Sequence, residues 1–418
     1  MRYCKRCLYH EQHPLLLTID EEGICSGCRV HEEKDILDWK ERGTKLGHIL
    51  RNYKNTNGSN YDCIIPVSGA RDSHFIVHTI KNVYGMNPLL VTYNKHYNTD
   101  VGIRNLANLR IKFDCDIMTL TVNPDTVKKI TRATLHRMGS LYWHCIAGQT
   151  VYPVQVAVKF KIPLIIWGAH QGVDQVGMFS HLDEVEMTRK YRKEHDLMGF
   201  EAEDLINDFD GITYEDIVQF LYPDDKEIER VGVRGIYLNN YIRWDSKSQH
   251  EQMIKEFDYE THTQTRTFDT YNDVDCWNYS DIHDYIKYLK HGYGKVVDHA
   301  CREIRLKRMT REQAVVLTHK YLEQKPKNLN LFLDWLGMTE NGFNYIIDQH
   351  RNKAVWKRNE SWEWQGTESN FNLNLTSSMI DESRLEITDT NKEFILTIDK
   401  KSSDYKDKYI LIGKGFRS

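Results

Sequence analysis

The chain reads as an α/β protein whose parallel sheet carries helices on both faces, and three observations predict it. Short apolar runs rich in Ile, Leu and Val recur at 62–67, 88–93, 116–122 and 162–168, the length of buried strands rather than of helices. Amphipathic stretches at 73–84 and 102–113, with one or two more helices between 124 and 160, separate them. That alternation calls for parallel strands joined by crossover helices, so ligands should collect beyond the strands' carboxyl ends, at 68, 92–94, 122–123 and 168–171.

In chain order, Cys4-Lys-Arg-Cys7 and Cys25-Ser-Gly-Cys28 come first, two CxxC pairs 17 residues apart. Four thiolates at that spacing can close tetrahedrally around Zn²⁺, and a hairpin over 18–24 would bring the pairs together, giving a zinc knuckle over 1–35. An iron–sulfur or redox site is the alternative. Gly23-Ile-Cys-Ser-Gly27 also matches the GxCxG elbow of glutamine amidotransferases, but the sequence does not place the preceding sheet strand and the downstream His/Glu pair that elbow needs, and Cys25 is already taken by the CxxC pattern. A polar helix over 31–53 and the loop 55–60 lead into the nucleotide domain, taken as 55–198.

The first strand ends in Ser68-Gly-Ala-Arg-Asp-Ser73, where a helix opens. Small residues before a helix N-terminus let an anion approach unpaired backbone N–H groups, and the two serines add donors. An ordinary βα turn capped by Ser or Asp has the same pattern. There is no GxxxxGK[ST], which disfavours γ-phosphoryl transfer. The segment resembles the SGGxDS loop of the PP-loop ATP pyrophosphatases, adenine nucleotide α-hydrolase-like enzymes that adenylate a carbonyl or amide oxygen and release pyrophosphate. Ala70 stands where that family has its second glycine, so a methyl group would face phosphate.

The resemblance narrows, over about residues 1–355, to the N-acetyl sugar amidotransferases, which turn an acetamido group into an acetamidino group. It is carried by the CxxC pairs, Val91-Thr-Tyr-Asn94, Asn98-Thr-Asp-Val-Gly-Ile-Arg-Asn-Leu106, Trp143-His-Cys-Ile-Ala-Gly148, Ile165-Ile-Trp-Gly168, Gly177-Met-Phe-Ser180 with Arg192-Lys-Glu-His-Asp-Leu197, and Tyr293 to Arg305. It implies ATP and Mg²⁺ as well as structural Zn²⁺. It also implies an N-acetylated, nucleotide-linked sugar substrate, surface polysaccharide as the product's destination, and separate glutaminase and synthase-like partners supplying ammonia. ATP would lie against Ser68, Gly69, Ala70, Arg71, Asp72, Ser73, Thr92, Tyr93 and Gly168, with Tyr93 stacking on adenine. Family members often carry a carboxylate after Gly168, where this chain has His170, Gln171 and Asp174. Catalytic candidates are thus Asp72, Ser73, His170, Asp174 and Cys145, the last being either a reactive thiol or a small buried residue.

From 199 to 358 the pattern turns helical, a region for substrate or partner. Ile236 to Asp245 reads as a strand or helix packed by its aromatics, and the charged stretch 183–195 as a solvated helix face with i,i+4 pairs. Lys295, Asp298, His299 and Arg302 fall within two helical turns. They are either an anchor for an anionic sugar nucleotide or a bland Asp298–Arg302 pair. Alternating runs at 370–376, 384–388, 393–398 and 408–412 predict a small antiparallel β appendage over 360–418.

The formal charge of −4 shows no basic field for nucleic acid, and no apolar run reaches the ~18 residues that span a bilayer. A cytoplasmic enzyme is the expectation. A PP-loop tRNA sulfurtransferase and a non-catalytic scaffold are the competing ones.

Overall fold

The computed structural model describes residues 1–70, 72–206 and 211–367. Its centre is a five-stranded parallel sheet of β1 (Cys63–Pro66), β2 (Pro88–Tyr93), β3 (Ile117–Leu120), β4 (Leu164–Trp167) and β5 (Arg234–Tyr237), in the order β3-β2-β1-β4-β5. Ile64 pairs with Leu89 on one side and Ile165 on the other, and Ile165 with Gly235. The order reverses between β1 and β4, which places a crevice at their carboxyl ends.

Both faces of each central strand are buried because helices cover both. Ile64, Val91 and Ile165 pack with Val154 and Ala157 of helix Trp143–Phe160. Ile65, Leu90, Ile166 and Ile236 pack on the opposite face with Ile76, Ile80 and Leu109. The capping chemistry explains where helix Pro124–Met138 starts and stops. The Asn123 side chain accepts from Asp125 N–H, Pro124 occupies the first turn where its missing N–H is harmless, and Gly139 ends the helix at φ 60°.

Several elements depart from the sequence expectations. The sheet has a fifth strand within the stretch read as helical, beginning at Arg234, so a domain boundary at 198 would divide the sheet. The helix over 31–53 is two, Ser26–Glu33 and Trp39–Tyr53, because Asp38 turns its carboxylate onto Lys40 and Glu41 N–H and starts the second afresh. The 73–84 helix is α-helical over Ser73–Val77 and then widens into a π-helix over His78–Val83. The 183–195 stretch is no continuous helix but a 3₁₀ turn (His181–Asp183), one short helical turn (Arg189–Tyr191) and a π-turn (Arg192–Asp196), and Arg192 is buried.

After β5, helix Ser246–Phe257 packs Met253 and Ile254 into the sheet's core, and helices Trp277–His291, Lys295–Arg305, Arg311–Tyr321, Leu329–Leu336 and Glu340–Gln349 form the second body, whose core joins Val296, Val297, Phe332 and Phe343 to Leu8 and Tyr9 of the knuckle. β6 (Trp356–Arg358) and β7 (Trp364–Gly366) pair antiparallel. The four runs expected beyond 369 lie outside the described residues. Among those described, no helix is long and apolar enough to cross a membrane.

Candidate active site

The loop after β1 is held by its own serines. Ser68 N–H donates to Ser73 Oγ at 3.0 Å, Ser73 Oγ–H to the Ala70 carbonyl at 3.1 Å, and Ala70 N–H to Ser68 Oγ at 3.3 Å. Ala70 is wholly buried among Val67, Ile76 and Val77, and it is absent from the positive-φ residues. Its methyl group therefore points into the core and fits the backbone, contrary to the expectation that it would face phosphate. Gly69 is the position that cannot carry a side chain, since a Cβ there would sit 2.0 Å from the carbonyl O of Gly102. A Cβ on Gly102 would in turn sit 2.3 Å from Asp275 Cα. Three backbones from 69, 102 and 275 are thus stacked in contact at the sheet's carboxyl edge. Arg71 lies outside the described residues.

Asp72 ties this loop to helix Ser246–Phe257 and, through it, to the second body. Its Oδ1 accepts from Ser246 Oγ at 3.0 Å and lies 3.9 Å from His250 Nδ1. The His250 ring rests on Tyr271 at 4.7 Å, and Tyr271 Oη accepts from Arg302 Nη2 at 2.9 Å. Arg302 also donates to Asp269 Oδ2 and Glu303 Oε1. Burial would raise the Asp269 carboxyl, but His299 and Arg302 more than offset it and hold it below the ordinary range. Lys95, buried, pairs with Asp275 at 2.7 Å beside the glycine stack. None of Lys95, Ser246, His250, Asp269, Tyr271 or Asp275 was singled out from sequence. They lie tens to hundreds of residues from the loop, and no local spacing joins them.

The other predicted residues divide between this region and elsewhere. Thr92, next to last in β2 on the strand beside β1, is buried. Tyr93, expected to stack on adenine, is buried. Its ring lies on Gly148, where a Cβ would come within 2.3 Å, and its hydroxyl is 2.9 Å from His144 Nδ1. Gly168 lets Ile76 and Trp244 close over β4. Cys145 is wholly buried and burial pushes its thiol well up, so it stands as a packing residue. Asp174 is ion-paired with Lys34 and, against the effect of burial, is held lower by it. His170 sits in a ring of aromatics, its imidazole held down to about 3 by burial and by Arg192.

On helix Lys295–Arg305 the bland Asp298–Arg302 pair is not formed. Asp298 accepts from Tyr9 Oη at 2.7 Å and Lys287 Nζ at 2.5 Å. Lys295 Nζ donates to Gln264 and Asp281, and His299 Nδ1 is 2.7 Å from Thr267 Oγ1. Of the four candidates, Arg302 is the one tied to the loop through Tyr271.

The four knuckle cysteines converge, all four Sγ atoms lying within 4.8 Å of one another and all buried. The bridge Ile19↔Cys25 closes the expected hairpin, with Gly23 at φ 84° in its turn. Backbone N–H groups of Arg6, Cys7 and Cys25 point at Cys4 Sγ at 3.3–3.4 Å. Arg305 Nη2 lies 3.7 Å from Cys25 Sγ and offsets the excess negative charge of a four-thiolate set. The donor set therefore fits a structural Zn²⁺ ion, with no open position for catalysis.

Comparison with known proteins gives three findings. Residues 261–368 match the family described as LPS biosynthesis protein WbpG-like, C-terminal domain. An uncharacterized protein of Methanocaldococcus jannaschii is 26% identical over 117 residues, 28% of this chain, so the alignment spans 42% of that relative's length. Among solved structures, NMN synthetase from Francisella tularensis superposes on 55% of this chain and 98% of its own, at 14% identity and a TM-score of 0.27. The matched C-terminal segment contains Asp269, Tyr271, Asp275 and Arg302, the residues that reach the loop.

Proposed function

We propose that the chain is an ATP-dependent, AMP-forming amidotransferase acting on an N-acetylated, nucleotide-linked bacterial sugar in surface polysaccharide synthesis. The observation that carries this is the placement of the Ser68–Ser73 loop at the β1/β4 switch point, with the WbpG-like segment folded onto it through Gly102–Asp275 and Asp72–His250–Tyr271–Arg302. Bound ATP would supply an AMP group that makes a poor leaving oxygen a good one. The sugar's acetamido oxygen attacks the α-phosphorus, pyrophosphate leaves, ammonia adds at the carbon, and AMP departs with the former amide oxygen. Two protons are released as the amidine forms. The loop's backbone N–H groups and the Ser68 and Ser73 hydroxyls would hold the pyrophosphate, with Mg²⁺ sharing its charge and Asp72 as the loop's own carboxylate for the metal. Arg302 would contact the sugar nucleotide.

Ammonia would come from a glutaminase with a synthase-like partner. The test is to incubate the full chain with ATP, Mg²⁺ and candidate N-acetylated sugar nucleotides, with ammonium or glutamine, and to follow product mass. An amide-to-amidine mass change with ammonium alone is expected. Turnover driven by glutamine without a partner, or AMP formation with no change in the sugar, would overturn it.

A further inference from the structure

At the carboxyl ends of β4 and β5, on the sheet face that carries Ile165, four residues from three segments bring buried polar atoms together without partners among the described residues. They are Trp167 Nε1, both ring nitrogens of His170, Nε and Nη2 of Arg192, and Tyr237 Oη. The Arg192 guanidinium lies 4.5 Å from the Trp167 ring centre and 5.7 Å from that of Tyr237, and the His170 ring lies 4.6 Å from Tyr237. Phe179 and Tyr191 complete the wall, 5.6 and 4.4 Å from His170. Arg192, Tyr237 and His170 are 8%, 3% and 2% exposed.

The arginine tells what is missing. Asp196 takes Nη1, leaving the edge formed by Nε and Nη2, which is the two-donor fork that fits two oxygens of one carboxylate or phosphate. Elsewhere in this chain the same edge is filled in that way. Glu260 fills it on Arg104, Glu186 on Arg234 and Glu201 on Arg189. Among the described residues, Arg192 alone leaves both of these atoms buried and unpartnered. The indole N–H is a donor only, the phenol can donate, and a neutral imidazole donates from one nitrogen. A buried donor left unpaired is destabilising, so several in one place call for a ligand or ordered water to pair them.

We infer that this cluster is an oxyanion subsite, in which the Arg192 fork grips two oxygens of a carboxylate or phosphoryl group while Trp167, His170 and Tyr237 donate around it. Trp167, Phe179 and Tyr191 are only half-buried, which leaves a side open to solvent. If the proposed reaction holds, the oxyanion belongs to the sugar substrate, bound across β4 from the ATP loop. The subsite itself stands on the geometry and does not require that reaction. His170 then serves as a ligand-binding donor.

The test uses the full chain with acetate, inorganic phosphate and neutral acetamide as probes at constant ionic strength, read by thermal shift and by line broadening of the probe's NMR signal. A saturable response to acetate or phosphate and none to acetamide is expected, the stronger probe naming a carboxylate or a phosphoryl ligand. Arg192→Lys keeps the charge but loses the fork and should weaken that response about tenfold. Tyr237→Phe should weaken it with an unchanged ligand-free Tm, which guards against misfolding of the first variant. No saturable response, or one equal in wild type and both variants, would overturn the subsite. ATP–pyrophosphate exchange measured on the same samples reports the proposed reaction separately.

Discussion

At the scale of single residues, the loop separates two positions that the sequence alone treats alike. Ala70 has its methyl group in the core at an ordinary φ, so Ala70→Gly should not raise ATP affinity and should lower stability by about 1 kcal/mol, through lost packing and a freer unfolded chain. Nucleotide titration beside urea unfolding checks both halves, and a gain in affinity would show that the methyl obstructs phosphate after all. Gly69→Ala is the opposite case. Its Cβ meets backbone rather than a yielding side chain, and a loss of about 1–3 kcal/mol is expected from the overlap, measured by the same unfolding curve. Ser73→Ala removes the hydroxyl that ties Ser68 N–H to the Ala70 carbonyl. In the proposed reaction it should slow AMP formation far more than it weakens sugar binding, a split that steady-state kinetics would resolve.

At the scale of elements, helix Lys295–Arg305 fastens the knuckle to the α/β domain. Arg305 Nη1 donates to the Gln175 carbonyl at 2.6 Å while Nη2 faces Cys25 Sγ, and Ser26 Oγ donates to the Val176 carbonyl at 2.7 Å. Gly27 is a glycine because a Cβ there would lie 2.4 Å from Arg305 Nη2 and 2.6 Å from the Gln175 carbonyl. The knuckle thus holds the 171–177 segment that follows β4. Chelation of Zn²⁺ should release one equivalent of metal, lower Tm, and speed hydrogen exchange at the amides of 173–176 more than at those of β2. Uniform exchange in both places after metal loss would mean that the knuckle is an independent appendage.

At the scale of the whole molecule, burial keeps many histidines neutral. Desolvation pushes His74, His144, His170 and His291 down to about 3 and His283 to about 4. A folded-state pKa below the unfolded value of ~6.5 means that the unfolded chain binds more protons in between. Stability is therefore full above about pH 6.5 and falls with pH toward 3, by up to ~1.4 kcal/mol per histidine and pH unit. Urea midpoints measured from pH 7 to 4.5 should drop with a slope greater than one proton's worth, and a flat profile would contradict the burial of these rings. The same wide packing limited what could be read in one dimension. The strand–helix beat, the CxxC knuckle and the Ser68–Ser73 loop were legible because each is a local pattern of a few residues whose chemistry is fixed by spacing. β5 reads in sequence as a strand or helix from Ile236 because Arg-Gly-Ile-Tyr has no apolar run, and its place at the sheet edge comes from pairing with β4. Tyr93, His170 and Asp174 lie near strand ends as expected, yet their side chains turn to Gly148, to an aromatic ring and to Lys34. Sequence by itself determined four of the sheet's five strands, the loop and the thiol set. Only the tertiary structure decided that Ala70 faces inward, that Asp72 meets His250, and that one arginine fork is left open, because those outcomes depend on contacts between segments far apart in the chain, which periodicity does not encode.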